Sequence, residues 1–380
     1  MTGALSGKLI VELAERVSGE YCGKLLADFG AEVIKIERPG GAPTRAMGPF
    51  KDGVLGLERS ALFAYLNTNK KSVVLDLSAP ADRARLEHLL ARADAMIDDH
   101  CVPLFAKDQL AADYPRLVHC LITPFGQGAP ADWQNAQPIN VINAGGWAWH
   151  SPSETPPTKP PLKGAGRFLP NYEAGIDAAL CVAASLYRQG RTGTGQFIDL
   201  SEVEVQVNRI DCVLGRMLAG EADPGPERTA YDMGGPAKSF ACTDGYVYLF
   251  MTSKAHWKGL LELMEYPAWA MEFPEDWLEF HCTPDKVALF RKHFAIWAAG
   301  QTKHAVSEAG QKLGVAIVPV NSAADLPGNE QFVHRGFFQT LAHPVLGEAL
   351  YPTVCYKLSA TPVRLVSPAP ALGQHSGELA

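Results

Sequence analysis

The segment Asn171-Tyr172-Glu173-Ala174-Gly175 places an amide and a carboxylate two residues apart, ahead of a helix-like stretch. An amide has no anionic oxygen with which to attack a carbonyl, but it can donate to a carbonyl or enolate oxygen as an oxyanion-hole group does. Glu173 has the nucleophilic oxygen that Asn171 lacks. It also stands where a negative charge favours a helix N-terminus, so a structural role is the competing reading. Arg38 follows one strand-like run, and Asn69-Lys70-Lys71 precedes another. A guanidinium fork suits phosphate, and lysines add point charge, unless Lys70 and Lys71 are solvated surface charges. Trp147, Trp149 and His150 follow a Gly-Gly pair. Two indoles so close suit an apolar or ring-bearing ligand, or else they fill a core or an interface.

These groups need a scaffold. Apolar, β-branched runs at 9–13, 32–37, 72–77, 95–98 and 117–122 alternate with helical patterns such as 18–29 and 80–92. That alternation predicts a parallel, doubly wound sheet, whose ligands bind beyond the carboxyl ends of the strands. Residues 151–170 are Pro-rich and predict a long loop or linker with no helix. Helices are expected over 173–189 and 202–218. After a break at 220–236, Asp244-Gly245 between apolar runs predicts a hairpin over 239–252. Helices near 255–265, 284–299 and 303–313 complete a smaller α+β domain over 230–330.

Composition narrows the function. The chain of 380 residues is 47% hydrophobic and 20% charged, with a net charge of −7, so it lacks the basic surplus a nucleic-acid binder needs. No apolar run reaches the ~18–20 residues of a membrane span, and the first residues lack a signal-peptide pattern. The eight cysteines are scattered without a Cys-x-x-Cys pair. A cytoplasmic protein with reduced thiols, no nucleic acid and no membrane is the expectation. Residues 14–19 read Ala-Glu-Arg-Val-Ser-Gly, so the pyrophosphate turn of a dinucleotide site is missing. There is no Walker A motif, no Gly-x-Ser-x-Gly elbow and no metal-like clustering of His, Asp and Glu. No metal, flavin or nicotinamide is expected.

Six stretches in one order carry a resemblance: residues 30–37, Asn67-Thr68-Asn69-Lys70-Lys71-Ser72, Pro124–Gly128, 191–199, Asp244-Gly245 and 369–375. Together they resemble the class III CoA-transferase family, which includes formyl-CoA transferase, carnitine CoA-transferase and 2-methylacyl-CoA racemase. The resemblance implies an α/β fold: a Rossmann-like large domain with a parallel sheet, plus a smaller α+β domain, in an interlocked-ring homodimer. The large, CoA-binding domain would span 1–219 and 335–380, with linkers at 220–229 and 331–334. Coenzyme A, as acyl-CoA, would be held by Arg16, Arg38, Asn69, Lys70, Lys71, Asp99 and His100, with Trp147, Trp149 and His150 lining the acyl group. The implied reaction is acyl-CoA:carboxylate CoA transfer on an apolar or ring-bearing acyl group, with a carboxylic acid as acceptor.

The family's nucleophile is an Asp at the position of Asn171, and its acyl-aspartyl route divides one hard step into easier ones. Here Asn171 interrupts that route unless Glu173 supplies the carboxylate. Gln137 falls near the histidine of the racemase branch, which leaves racemisation without its acid–base pair. The alternatives are a non-covalent CoA-thioester lyase, hydrolase or isomerase centred on Asn171, or a catalytically silent acyl-CoA-binding paralogue.

Overall fold

A computed structural model of the chain describes residues 3–150, 167–209, 218–220 and 235–379. The apolar runs form six strands: β1 Leu9–Glu12, β2 Glu32–Glu37, β3 Lys70–Val74, β4 Ala95–Asp98, β5 Val118–Thr123 and β6 Phe197–Ser201. They pair in the order β3-β2-β1-β4-β5-β6, each pair parallel. β1 pairs with both β2 and β4, so the order reverses between β1 and β4. Crevices at such reversals are where open α/β sheets bind ligands.

Alternation within the strands covers both faces of the sheet. Ile10, Val33, Ala95 and Ile97 pack under α1 (Val17–Asp28) and α7 (Leu169–Thr192). Val11, Ile34 and Met96 pack on the other face, with Leu86, Leu89 and Leu90 of α3 (Pro80–Leu90) and Leu110 of α4 (Lys107–Asp113). Burial on both faces is why these strands read as continuous apolar runs. The intervening helix α2 is Ala61–Leu66. Beyond β5 come α5 (Pro138–Ala144) and α6 (Trp147–His150), and α8 (Glu202–Val207) follows β6 directly.

Charges interrupt the runs in one row. Glu12 of β1 is in register with Lys35 of β2, which is in register with Ser72 of β3. Lys35 Nζ bridges Glu12 at 3.1 Å and Glu20 at 2.8 Å, and Lys70 Nζ bridges Glu12 at 2.7 Å. Glu37 accepts a two-pronged bond from Arg45 at 2.7 and 2.8 Å. All these side chains are buried, which is tolerable only because each charge meets an opposite one. Burial pulls Lys35 down, yet Glu20, Glu12 and Glu37 together hold it above the usual lysine value. At Lys70 burial wins and the pKa is lowered.

Among the boundaries that differ from the sequence expectation, two starts bear on the site. β3 starts at Lys70 rather than 72. α7 starts at Leu169 rather than 173, because Pro170 sits in the first turn, where a missing N–H forfeits no helical bond. Asn171 therefore belongs to the helix. The helix expected over 202–218 stops at Val207, with a turn at 208–209; its part over 210–217, like residues 151–166, lies outside the described residues.

The chain divides into two compact units, Met1–Ala230 with Phe337–Ala380, and Tyr231–Gly336. In the first, Asn69 clamps the returning C-terminal segment. Its Oδ1 accepts from the N–H groups of Val366 and Ser367, and its Nδ2 donates to Asp28 Oδ1 and the Arg364 carbonyl. The second unit holds an antiparallel sheet of β7 (Lys238–Cys242), β8 (Gly245–Phe250) and β9 (Ala316–Val320) around the expected Asp244-Gly245 turn. Its core is aromatic, with Trp257, Trp277, Phe290 and Phe294 fully buried. A short helix at Glu330–His334 occupies the positions expected as a linker.

Candidate active site

Loops leaving β1 and β4 meet at the reversal. Asp99 Oδ1 accepts from the Glu15 N–H at 2.8 Å and Oδ2 from the Arg16 N–H at 2.9 Å. A Cβ on Gly19 would stand 2.6 Å from that Oδ2, so glycine is what admits the carboxylate against α1. Burial pushes the Asp99 carboxyl up to about 7, and the two backbone donors only partly oppose it. His100 Nδ1 lies 2.7 Å from Asp98 Oδ1. Burial pulls this imidazole down, but the bond to Asp98 and the charges of Asp98, Asp99 and Glu15 hold it above its usual value. Arg38 is largely exposed and only loosely held, 3.4 Å from Glu15. Arg16 donates through Nη2 to the Ala136 carbonyl at 2.9 Å and through Nη1 to Cys101 Sγ at 3.4 Å.

Two cavities adjoin this cluster. One of about 260 Å³ opens past the carboxyl end of β5 and is lined by Cys101, Thr123, Phe125 and Trp133 among others. The other, of about 560 Å³, is lined by Phe125, Trp133, Ala136, Ile139 and Asn143 among others. Phe125 and Trp133 wall both, with ring centroids 4.9 Å apart at 57°. Arg16 thus braces one wall of each cavity, through Cys101 and Ala136.

Where α1, α7 and α8 meet lies a buried polar cluster. Gly175 has no side chain where α7 meets α1; a Cβ there would come within 2.8 Å of the Ser18 carbonyl. That close approach brings Ser18 and Asn171 to one carboxylate. Glu202, the first residue of α8, accepts at Oε1 from Ser18 Oγ at 2.7 Å and from Asn171 Nδ2 at 2.9 Å. Because the carboxylate accepts, the Asn171 amide must present its nitrogen. Glu202 Oε2, Asn171 Oδ1 and Gln206 Oε1 are buried without a hydrogen-bond partner. Cys101 lies close enough to register the Glu202 charge: its thiol is raised by burial first and by the Asp99 and Glu202 charges after it, with Arg16 opposing.

The family model for CoA-transferase family III matches residues 5–376. The chain belongs to CoA-transferase family III. Among curated relatives, it is 28% identical over 378 residues to the subunit BbsE of succinyl-CoA:(R)-benzylsuccinate CoA-transferase from Thauera aromatica, covering 95% of this chain and 90% of the relative. It is 25% identical over 385 residues to human succinyl-CoA:glutarate CoA-transferase, covering 98% and 84%. Its fold superposes on a CAIB/BAIF family protein from Brucella suis with a TM-score of 0.82, at 23% identity and full coverage of both chains.

Within this family III chain the structure separates the residues expected to hold CoA into two groups. Arg16, Arg38, Asp99 and His100 converge at the carboxyl edge of the sheet. Asn69, Lys70 and Lys71 do not join them, because β3 begins at Lys70 and they stand at its amino end. Lys70 Nζ is spent on Glu12, the Glu20 carbonyl and Asn67 Oδ1, and is out of reach of a phosphate. Lys71 pairs with Glu32 and Glu378, and Asn69 serves the clamp described above.

The other expected residues whose side chains are described are not among those that line the two cavities. Gln137 caps α5 and is exposed, its Nε2 donating to the Asn135 carbonyl. Glu173 is half-buried and occupied, with Oε2 accepting from Gln206 Nε2 at 2.9 Å and bridging Arg209 Nε at 3.2 Å. Trp147 is half-buried at the start of α6; the side chains of Trp149 and His150 lie outside the described residues. Sequence reasoning missed Ser18, Phe125, Trp133, Glu202 and Gln206. The signal for Glu202 was an acidic residue directly after a buried strand, at the edge where α/β sheets do chemistry.

Proposed function

We propose that this chain is an acyl-CoA:carboxylate CoA-transferase whose acyl group is apolar or ring-bearing. The observation that carries this reading is the pair of cavities at the carboxyl edge of the sheet, walled by Phe125 and Trp133 and bordered by Arg16, in a family III chain. A tilted aromatic pair favours an apolar or ring-bearing group over a small, fully charged dicarboxylate. The ring in benzylsuccinate, named for one relative, agrees with that preference. Arg16, Arg38 and His100 supply cationic groups for the phosphates at the nucleotide end of CoA. A homodimer in the cytoplasm is part of the same reading, and interlocked rings are the assembly that goes with it.

The test is exchange. The purified chain is incubated with succinyl-CoA and with ring-bearing acyl-CoAs against a panel of carboxylic acids that includes 2-benzylsuccinate, and new thioesters are read by mass spectrometry. CoA transfer, faster with ring-bearing partners, is the expected result. No exchange with any donor overturns the reading.

A second reading is favoured by Asn171 itself, which has no anionic oxygen: the chain binds acyl-CoA and turns nothing over alone. One relative is itself named as a subunit of its transferase. Calorimetric binding of acyl-CoA with no conversion of the bound thioester would select this reading, and turnover would exclude it.

A further inference from the structure

We propose that Glu202 is the carboxylate through which this chain carries acyl groups, with Asn171 and Ser18 as its positioning residues. The assignment rests on the CoA-transferase reading above.

Among the described residues the other buried carboxylates are matched. Glu12 meets Lys35 and Lys70, Glu20 meets Lys35, Glu37 meets Arg45, Asp28 meets Lys24 and Asp98 meets His100. Asp99 takes two backbone N–H groups. Glu202 is fully buried and meets only the neutral donors Ser18 and Asn171, both on Oε1. Its Oε2 has no donor at all; Asp98 Oδ2 is likewise without one, but Asp98 has His100 on its other oxygen. A buried carboxylate without a cation costs several kcal/mol relative to a paired one, so a fold keeps it where chemistry uses it. An oxygen free of ion pairing is also the one able to attack. Glu173, the other carboxylate near Asn171, is tied to Gln206 and Arg209 through Oε2.

Asn171 has a reason in this arrangement. Its amide nitrogen holds Oε1 and so directs Oε2, while an Asp at 171 would set two carboxylates at hydrogen-bond distance. The reactive oxygen is thus carried by the first residue of α8 and held from α7.

The chemistry balances without a proton or a redox partner. Glu202 Oε2 attacks the thioester carbonyl; a C–O bond forms, the C–S bond breaks and CoA leaves as thiolate with the electron pair. The thiolate attacks the Glu202 carbonyl carbon, and the first acid leaves as its carboxylate, giving a glutamyl-CoA thioester. The acceptor carboxylate attacks that thioester and releases thiolate again. Attack of this thiolate on the acceptor's own carbonyl yields the new acyl-CoA and restores Glu202.

Full-length protein is mixed with succinyl-CoA or a ring-bearing acyl-CoA, quenched with hydroxylamine or borohydride, and digested for peptide mass spectrometry. A modified Glu202 in the wild type is expected, with a Glu202→Gln variant unlabelled and its kcat lowered about 1000-fold or more. Glu202→Asp, which keeps a shorter carboxylate, is expected to keep the label at a lower rate. Melting curves check that the variants fold, and the wild-type label does not depend on them. Exchange by the wild type with Glu202 unlabelled and Glu202→Gln within about twofold of its rate overturns the assignment while the CoA-transferase reading stands. Neither exchange nor label in the wild type overturns both.

Discussion

Asn171 Nδ2 donates to Glu202 Oε1 across 2.9 Å, joining a helix that starts after the cavity-lining segment to one that starts at the end of the last strand. An amide and a carboxylate are complementary at that distance, and two carboxylates are not. The neutral residue on α7 and the acidic residue on α8 are therefore one arrangement, held together by Ser18 from the first turn of α1.

Replacing Asn171 with Asp tests this pairing through stability. Two buried carboxylates in contact must share a proton, which raises one of them above its unfolded value. The resulting stability is present at low pH and lost as pH rises through the raised pKa. The Asn171→Asp variant should melt progressively below the wild type between about pH 5 and about pH 8, with a loss of about 3–5 kcal/mol at the upper end. Adding Glu202→Gln should recover most of it, a non-additivity that thermal melts of the four proteins measure directly.

Asp99 makes a second pH-dependent contribution. Its carboxyl stands at about 7 in the fold against an ordinary 3.8, so the folded chain binds this proton more tightly than the unfolded chain does. Its contribution is complete below about 3.8 and falls as pH rises to about 7. Denaturant melts across that window should show a slope that Asp99→Asn removes. The variant should also lose about 1–3 kcal/mol, because an amide accepts only one of the two backbone bonds.

Neighbouring lysines should behave differently. Lys70→Met strips Glu12 of one of its two cations in a dry interior and should cost about 3–5 kcal/mol. Lys71→Met touches only half-exposed ion pairs and should change stability by about 0.5 kcal/mol or less. For acyl-CoA the contrast lies elsewhere: Arg38→Ala should weaken binding about fivefold, and Lys71→Ala should leave Kd unchanged by calorimetry. A large Kd effect from Lys71→Ala would return the nucleotide to the amino edge of the sheet.

The Glu37–Arg45 pair should govern acid unfolding. Burial alone would raise Glu37, but the Arg45 bonds and the Lys35 charge hold it at about 2, well under its ordinary 4.5. Its contribution is present above about 4.5 and is lost as pH falls toward about 2. Glu37→Gln should flatten the acid limb of the stability curve, as followed by circular dichroism.

Trp133→Ala opens the shared wall of both cavities. Losing one ring of the pair removes about 1 kcal/mol of contact, so KM for ring-bearing acyl-CoAs should rise about fivefold, with a smaller change for succinyl-CoA. Equal effects on both would remove the aromatic wall from acyl selection.

The sequence by itself determined the parallel sheet, the helices on its two faces and the family. Apolar, β-branched runs and helical patterns lie within single segments, and the runs at 9–13, 32–37 and 95–98 show themselves without reference to the rest of the chain. The resemblance marked Arg16, Arg38, Asp99 and His100 for CoA together with Asn69, Lys70 and Lys71, without separating the two ends of the sheet. Only the tertiary structure decided that Lys70 is a buried counter-ion for Glu12 and that Glu202, 31 residues beyond Asn171, shares its hydrogen bond. A lysine reads alike in water and in a dry core, and an acidic residue after a strand reads as a helix start. What separates those roles is which group from another segment stands within about 3 Å, and that depends on packing, of α1 against the sheet at Gly23 for Lys70 and Glu12 and of α1 against α7 at Gly175 for Asn171 and Glu202, rather than on any local pattern.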